Sequence, residues 1–323
     1  PSDRCPRIKG AKDDWVRPEI GERALLTRIG PSIGWCDIYE ETSQSAVRIG
    51  QGLVGDVVEV VDEEPGWFRV ESVPSGWEGW VRAIHVTAGS DEFREGWEGH
   101  RFASIIAAPG VDLHGKGYLP FGAVLPISKE RKKCTDLLLP DGRTARIDPG
   151  HSATLGELPT LTQILDAARG FRRVRYQNGG NSLEAKDGAG LVWLVFRTGG
   201  FPISRGLADQ LGDGDAVDAE SLKAGDVVYL SAYHEVQRRV AIVLDKDGTY
   251  LEAAASTGVA LGALSQLRNR EILEVRRFGE NSLITEDFVD DEKDNRGWLS
   301  RLVGLRVNGE VAANEPPNVD SGK

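Results

Sequence analysis

The sequence predicts an α+β protein, with short β-strands through the first half of the chain and helices followed by strands in the second half. Three observations predict this fold class. Turn residues separate short Val-rich and Trp-rich runs up to residue 150, helical spacing first appears after residue 158, and strand-like runs follow the helices. The chain has 323 residues, 40% of them hydrophobic, which is enough for more than one domain.

The first predicted β-domain covers residues 23–98 and follows an N-terminal arm of residues 1–22. Its runs Val57–Val61, Trp67–Val70 and Trp80–Arg82 are separated by Gly and Pro. Short runs of this composition are typical of a small antiparallel barrel.

A second predicted β-domain covers residues 99–150. It contains the run Leu119–Leu125 and the pair Asp141 and Gly142. An Asp-Gly pair between apolar runs is a hairpin signal. This segment therefore has the same character as the first domain.

Residues 151–310 form the third predicted domain, where helices precede strands. Leu161–Arg169 has apolar residues at helical spacing, and Gly190–Phe196 predicts a second helix. The predicted strands are Asp226–Leu230, Val240–Leu244 and Thr249–Ala253. The tail of residues 311–323 is rich in Asn, Pro, Ser and Gly and is predicted to be disordered.

Composition excludes several function classes. The net charge of -11 argues against nucleic-acid binding, which needs clustered Lys and Arg. No apolar run is long enough to span a membrane. Cys5, Cys36 and Cys134 are too widely spaced for a disulfide framework or a metal site, so neither a metal nor another cofactor is predicted. The compartment stays open, either cytoplasmic or exported after signal cleavage.

Five segments of the second half follow the order of a known family signature. They are Tyr176–Ser182 (YQNGGNS), Asp187–Val192 (DGAGLV), Leu222–Tyr229 (LKAGDVVY), Arg239–Leu244 (RVAIVL) and Tyr250–Ala254 (YLEAA). In order and spacing they resemble the NlpC/P60 family of papain-like cell-wall peptidases. The resemblance implies a papain-like α+β domain.

The first half carries a matching resemblance in Glu41–Val47, Gly52–Val58 and Gly76–Val81. These segments resemble the first bacterial SH3 domain of γ-D-glutamyl-L-diamino acid endopeptidases, which act in cell-wall recycling. The implied architecture is an NlpC/P60 domain preceded by two small SH3-like β-barrel domains.

The resemblance places degenerate residues at the three catalytic positions. Gly188 stands at the position of the family's nucleophilic Cys, Arg239 at that of its His, and Glu252 at that of the orienting group. Glycine has no nucleophile, and an arginine is effectively never deprotonated, so it cannot act as a general base. The sequence therefore predicts a pseudoenzyme. We further expect Arg239 and Glu252 to form an ion pair, which either closes the cleft or contributes to ligand binding.

Candidate ligand-binding residues also follow from the resemblance. Tyr176 and Asp187 match residues that line the family's cleft. Asp56 stands where the family's SH3 domain offers a Glu to a free amine, and Trp77 where it offers a Tyr; packing in the barrel is the alternative role for Trp77. Ser204 lies in the run that replaces the family's Arg-Asp-Ser, whose amine-binding carboxylate is missing here.

Three functional hypotheses remain open. The first is a binding protein whose cleft, between the first SH3-like domain and the papain-like domain, holds a peptide or a muropeptide-like ligand. The second is an amidase or endopeptidase that uses non-standard residues, such as Glu252 with His234, although His234 also fits an exposed loop. The third is a scaffold on which a protein partner docks.

Overall fold

The structure is a computed structural model. It describes residues 7–9, 17–26, 34–72, 77–89, 102–114, 117–154, 160–182, 185–199, 201, 203–231, 238–267 and 270–278. The predicted tail and His234 lie outside the described residues.

Most regular structure in these residues is β-strand. The strands up to residue 89 are β1 Arg7–Lys9, β2 Arg23–Leu26, β3 Trp35–Tyr39, β4 Arg48–Leu53, β5 Val57–Glu64, β6 Trp67–Ser72, β7 Glu78–Arg82 and β8 Val86–Thr87. The next strands are β9 Phe102–Ile105, β10 Gly110–Asp112, β11 Tyr118–Pro120, β12 Val124–Arg131, β13 Cys134–Leu138, β14 Thr144–Ile147 and β15 Ser152–Thr154. The last strands are β16 Arg175–Tyr176, β17 Ala185–Lys186, β18 Asp215–Ala216, β19 Val227–Leu230, β20 Arg239–Val243, β21 Thr249–Ala254, β22 Gly258–Ala263 and β23 Ile272–Arg277. The α-helices are α1 Leu161–Ala168, α2 Gly188–Thr198 and α3 Leu207–Gln210.

The first sheet has the strand order β4-β3-β7-β6-β5-β2-β8, with antiparallel pairing throughout. Alternating residues of β5 and β6, including Val58, Val60, Phe68 and Val70, face a common apolar core. Within the described residues this sheet is open, with β4 and β8 as its edges, where the sequence predicted a barrel. Alternation specifies which face of each strand is buried, but it does not specify closure. That the first domain is SH3-like remains a prediction.

The second sheet has the order β1-β14-β13-β12-β9-β15. The predicted hairpin joins β13 to β14, and Gly142 in its turn has a φ of 75°, a value that favours glycine. Part of the predicted N-terminal arm is a strand of this sheet, because β1 pairs with β14 along one edge. No sequence pattern predicted that residues of the N-terminal arm would form a strand of this sheet.

The third sheet, β18-β23-β19-β20-β21-β22, packs against α2. Every residue of α2 after Gly188 is buried, which explains why the run from Leu191 to Phe196 is apolar on all sides. The predicted helix is therefore confirmed and is longer by two residues at each end. Helix α1 begins with a capping box, in which the Thr160 side chain accepts from the Gln163 N–H and the Gln163 side chain accepts from the Thr160 N–H.

The second sheet shares one continuous apolar core with α1, α2 and the third sheet. Phe121, just after β11, packs edge to face on Phe171 with ring centroids 5.1 Å apart. Trp193 in α2 is 1% exposed within the same core. Among the described residues, no helix is long and apolar enough to cross a membrane.

Candidate functional site

The predicted nucleophile position, Gly188, is the first residue of α2. Asp187 caps the helix, and its Oδ1 accepts a hydrogen bond from the Gly190 N–H at 2.6 Å. A Cβ atom on Gly188 would lie 3.1 Å from Cγ1 of Val240 and 3.7 Å from the carbonyl oxygen of Ala253. The helix therefore begins beside β20 and β21, next to the residues that follow Arg239 and Glu252.

Arg239 and Glu252 form the ion pair that the sequence predicted. Nη1 of Arg239 lies 3.3 Å from Oε1 of Glu252, and their side chains are 25% and 8% exposed. Ala241 is the register partner of Glu252, so the pair lies diagonally across two neighbouring strands.

A second arginine, which the sequence reasoning missed, holds the same carboxylate. Arg270 donates from Nη1 to Oε2 of Glu252 at 2.8 Å and from Nη2 to Oε1 at 3.1 Å. Its side chain is 8% exposed, and its Nε donates to the Ser231 carbonyl at 3.2 Å. Arg270 comes just before β23, which is separated from β21 by two strands, so no local pattern indicates this contact.

These three positions lack the groups for thiol catalysis. Gly188 offers only backbone, and Arg239 has no basic nitrogen. Both oxygens of Glu252 accept bonds from guanidinium groups, so a water-activating role for Glu252 requires that these bonds break. Cys36 and Cys134 are both buried, and Cys5 lies outside the described residues.

The predicted ligand-binding residue Asp187 is held by two other groups. Its Oδ1 caps α2, and its Oδ2 accepts from Nη2 of Arg205 at 2.7 Å. Arg205 also donates from Nε to Oδ1 of Asn181 at 2.6 Å. The neighbouring Ser204 donates its N–H to Oδ2 of Asp213 at 2.6 Å.

Lys186 lies one residue before Asp187 and is fully buried, a feature that the sequence reasoning missed. Its Nζ donates to the carbonyls of Asn181 at 2.9 Å and Ser182 at 3.0 Å and lies 4.1 Å from the centre of the Phe171 ring. Burial holds the pKa of Lys186 well below its usual range. The positive charge of Arg205 adds to this effect and Asp187 opposes it.

The first sheet contacts the loop that precedes α2 through Gln51. Its Oε1 accepts from the N–H groups of Asn181 and Ser182, both at 2.8 Å, and its carbonyl accepts from Nδ2 of Asn181 at 2.6 Å. Arg48 donates from Nη2 to the Asn178 carbonyl at 3.1 Å. The Arg48 Nε donates to the same carbonyl at 3.3 Å, so five hydrogen bonds fix the first sheet against this loop.

Asp56, predicted as an amine-binding residue, bonds to Arg197 of α2. Nη1 of Arg197 donates to Oδ2 at 3.1 Å, and Nη2 donates to Oδ1. The Leu53 N–H also donates to Oδ2, at 2.9 Å. Both side chains of the ion pair are 6% exposed, an arrangement that favours a structural role for Asp56.

The two predicted aromatic contacts lie in different places. Tyr176 is half-buried, and its hydroxyl donates to Oδ1 of Asn178 at 2.8 Å, within the loop that meets the first sheet. Trp77 is partly buried and packs against the core of the first sheet. No group of His, Cys, Asp and Glu suited to hold a metal occurs in the described part of the chain.

The fold and the site together define a papain-like α+β domain, with a long buried helix that begins against the strands carrying Arg239 and Glu252. The NlpC/P60 family model matches residues 173–277, and the chain therefore carries an NlpC/P60 family domain.

The comparisons with individual proteins agree with this assignment. The chain is 24% identical over 200 residues to gamma-D-glutamyl-L-lysine dipeptidyl-peptidase of Bacillus cereus (strain ATCC 10987 / NRS 248). That match covers 56% of this chain and 59% of the relative, less than two thirds of the relative's length.

Two solved structures share the fold. A crystal structure of an NlpC/P60 family protein from Bacillus cereus ATCC 10987 has a TM-score of 0.68 at 18% identity, covering 80% of this chain and 99% of that chain. An NlpC/P60 endopeptidase from Photobacterium damselae subsp. piscicida has a TM-score of 0.53 at 11% identity, covering 80% and 71%. Most of the chain, including the β-sheets before the family domain, thus has a counterpart in a solved NlpC/P60 protein.

Proposed function

We propose that this protein is a non-catalytic NlpC/P60 homologue that binds a peptide related to the cell-wall stem peptide. The observation that carries the proposal is Gly188, a residue without a side chain at the start of α2. An NlpC/P60 peptidase needs a thiolate at this position and an imidazole to accept its proton. Arg239 supplies a permanent charge in place of the imidazole.

The proposed binding cleft lies between the first sheet and the NlpC/P60 domain. The hydrogen bonds of Gln51 to Asn181 and Ser182 support this placement, because they hold the loop before α2 in one position against the first sheet. We propose that the first and second sheets are SH3-like domains and that Tyr176 contacts the ligand. Asp56 and Asp187 serve the architecture in this proposal, because their oxygens already bind Arg197 and Arg205.

The ligand class is proposed from the relative. A gamma-D-glutamyl-L-lysine dipeptidyl-peptidase acts on a γ-linked D-glutamyl peptide. We propose that this chain, which shares the fold of a solved NlpC/P60 protein, keeps a cleft of related shape. A role in cell-wall recycling, as a sensor or carrier of such fragments, follows from this ligand class.

The test combines binding and turnover on the purified full-length protein. L-Ala-γ-D-Glu-L-Lys is titrated by calorimetry, and the α-linked isomer serves as the control ligand. Released lysine is measured by chromatography after long incubation. The proposal expects binding of the γ-linked peptide without release.

Either of two results would contradict the proposal. Steady release of lysine that is abolished by Glu252→Gln would identify an enzyme with non-standard residues. If neither peptide binds, the proposal of a peptide ligand is wrong, and the hypothesis that a protein partner docks on this surface remains.

A further inference from the structure

The Glu252 cluster consists of the side chains of Glu252, Arg239 and Arg270. Two guanidinium groups, of Arg239 and Arg270, surround a single carboxylate, so the formal charge of the three side chains is +1. The position of this cluster at the degenerate catalytic residues suggests a role in recognition.

The two arginines have different environments. Arg270 makes a bidentate pair with Glu252 and is 8% exposed, so it neutralises Glu252 within the fold. Arg239 reaches Glu252 through one nitrogen at 3.3 Å and is 25% exposed. Arg239 is therefore the more exposed of the two guanidinium groups.

The chemistry of the related peptidases relates this charge to one kind of ligand. Cleavage of a γ-glutamyl amide converts a neutral carbonyl beside the catalytic residues into a carboxylate. A guanidinium binds a carboxylate through paired, charge-assisted hydrogen bonds, whereas it gains much less from an amide. The change from imidazole to guanidinium thus favours the cleaved peptide over the intact one.

We infer that Arg239 binds the free γ-carboxylate of a γ-D-glutamyl peptide, so the protein recognises the product of amide cleavage. This inference rests on the proposed function and specifies that the ligand is the cleaved peptide and not the intact one. Arg270 keeps Glu252 paired, so Glu252 does not repel the incoming carboxylate.

Two dipeptides that differ in one group test the inference by calorimetry. L-Ala-D-glutamate keeps the γ-carboxylate, and L-Ala-D-glutamine replaces it with a neutral amide. The full chain is expected to bind the carboxylate form at least about tenfold more tightly. Arg239→Gln is expected to remove this preference, while Arg239→Lys keeps part of it.

Arg238→Gln is the matched control, since Arg238 is the neighbouring residue and makes an exposed pair with Glu274 at 3.0 Å. It is expected to keep the full preference. Circular dichroism of each variant verifies that it is folded.

The possible failures are distinguishable. Equal binding of both dipeptides by the wild-type protein, unchanged in Arg239→Gln, would overturn the inference and leave the proposed function standing. Absence of binding by these dipeptides and by the intact tripeptide would overturn both.

Discussion

Arg197 of helix α2 and Asp56 of the first β-sheet form a buried ion pair, although 141 residues separate them in the chain. The pair joins the first sheet to the helix whose N-terminus forms the candidate site. Its two side chains are each 6% exposed, so removal of one partner leaves a charge inside the protein.

Asp56→Ala is therefore expected to lower the free energy of unfolding by about 3–5 kcal/mol, because Arg197 loses its counter-charge in a buried setting. Urea unfolding followed by fluorescence measures the loss. Glu63→Gln removes the exposed partner of Arg17 and is expected to cost about 0–1 kcal/mol. The double change Asp56→Leu with Arg197→Met should be less destabilising than Asp56→Ala, and a larger loss would contradict this account.

Gly179→Ala is expected to disturb the contact between the first sheet and the loop before α2. Gly179 has a φ of 68°, and a Cβ there would lie 2.4 Å from the Arg48 carbonyl oxygen. Gly66→Ala is the control, since Gly66 has a φ of 82° and no atom within 4 Å of the added Cβ. The control should cost about 1–2 kcal/mol from conformation alone, and Gly179→Ala should cost clearly more in thermal unfolding. Equal losses of stability in the two variants would show that the loop before α2 can move away from the first sheet without cost.

The two arginines on Glu252 should differ in their effect on stability. Arg270→Gln is expected to lower the free energy of unfolding by about 3 kcal/mol, because it removes a bidentate partner that is 8% exposed. Arg239→Gln should cost about 1 kcal/mol, since this pair has one long bond and more solvent around it. Chemical denaturation of both variants tests the order, and the reverse order would contradict the assignment of Arg270 as the structural partner.

Lys186 should make stability depend on pH in the basic range. Burial lowers its pKa in the folded state, whereas the unfolded chain keeps the ordinary value of about 10.4. Between these two pKa values the unfolded state binds more protons, so the free energy of unfolding rises with pH. We expect Lys186→Met to remove this part of the slope in urea titrations at pH 7 to about 10. Lys246→Met, at an exposed lysine, serves as the control for the loss of a lysine. Parallel curves for the wild type and Lys186→Met would contradict the prediction.

Restoration of peptidase chemistry should require two changes. Gly188→Cys supplies a thiol, and the new Cβ needs only a small shift of Val240, which would lie 3.1 Å away. Without an imidazole that thiol has no general base, so the single variant and Arg239→His alone are expected to release no lysine from L-Ala-γ-D-Glu-L-Lys. The double variant should show slow release by chromatography. Release by Gly188→Cys alone would show that another group accepts the proton, and release by Arg239→His alone would show that another group attacks the amide.

The sequence predicted those features that depend on local patterns. The apolar run of α2 and the Asp-Gly turn at Gly142 require only neighbouring residues, and both occur as predicted. The Arg239 and Glu252 pair was predictable because both residues lie on adjacent strands of a recognisable motif.

Other contacts depend on the approach of distant segments. Arg270 reaches Glu252 across the end of the sheet, and Arg197 reaches Asp56 over 141 residues. The sequence shows that Lys186 is a charged residue between Ala185 and Asp187, but nothing in this pattern indicates that its side chain is completely buried. Ion pairs of this kind follow from tertiary packing, and a sequence pattern does not specify them.

The core shared by the second sheet and helix α2 has a consequence for dissection of the protein. Ile105, Phe121 and Leu125 pack in the same cluster as Trp193. A fragment that starts at residue 151 would present the matching helical surface to water and would tend to self-associate. We therefore expect the rear portion of this polypeptide to depend on the second sheet for its stability, so functional work on it calls for both halves together.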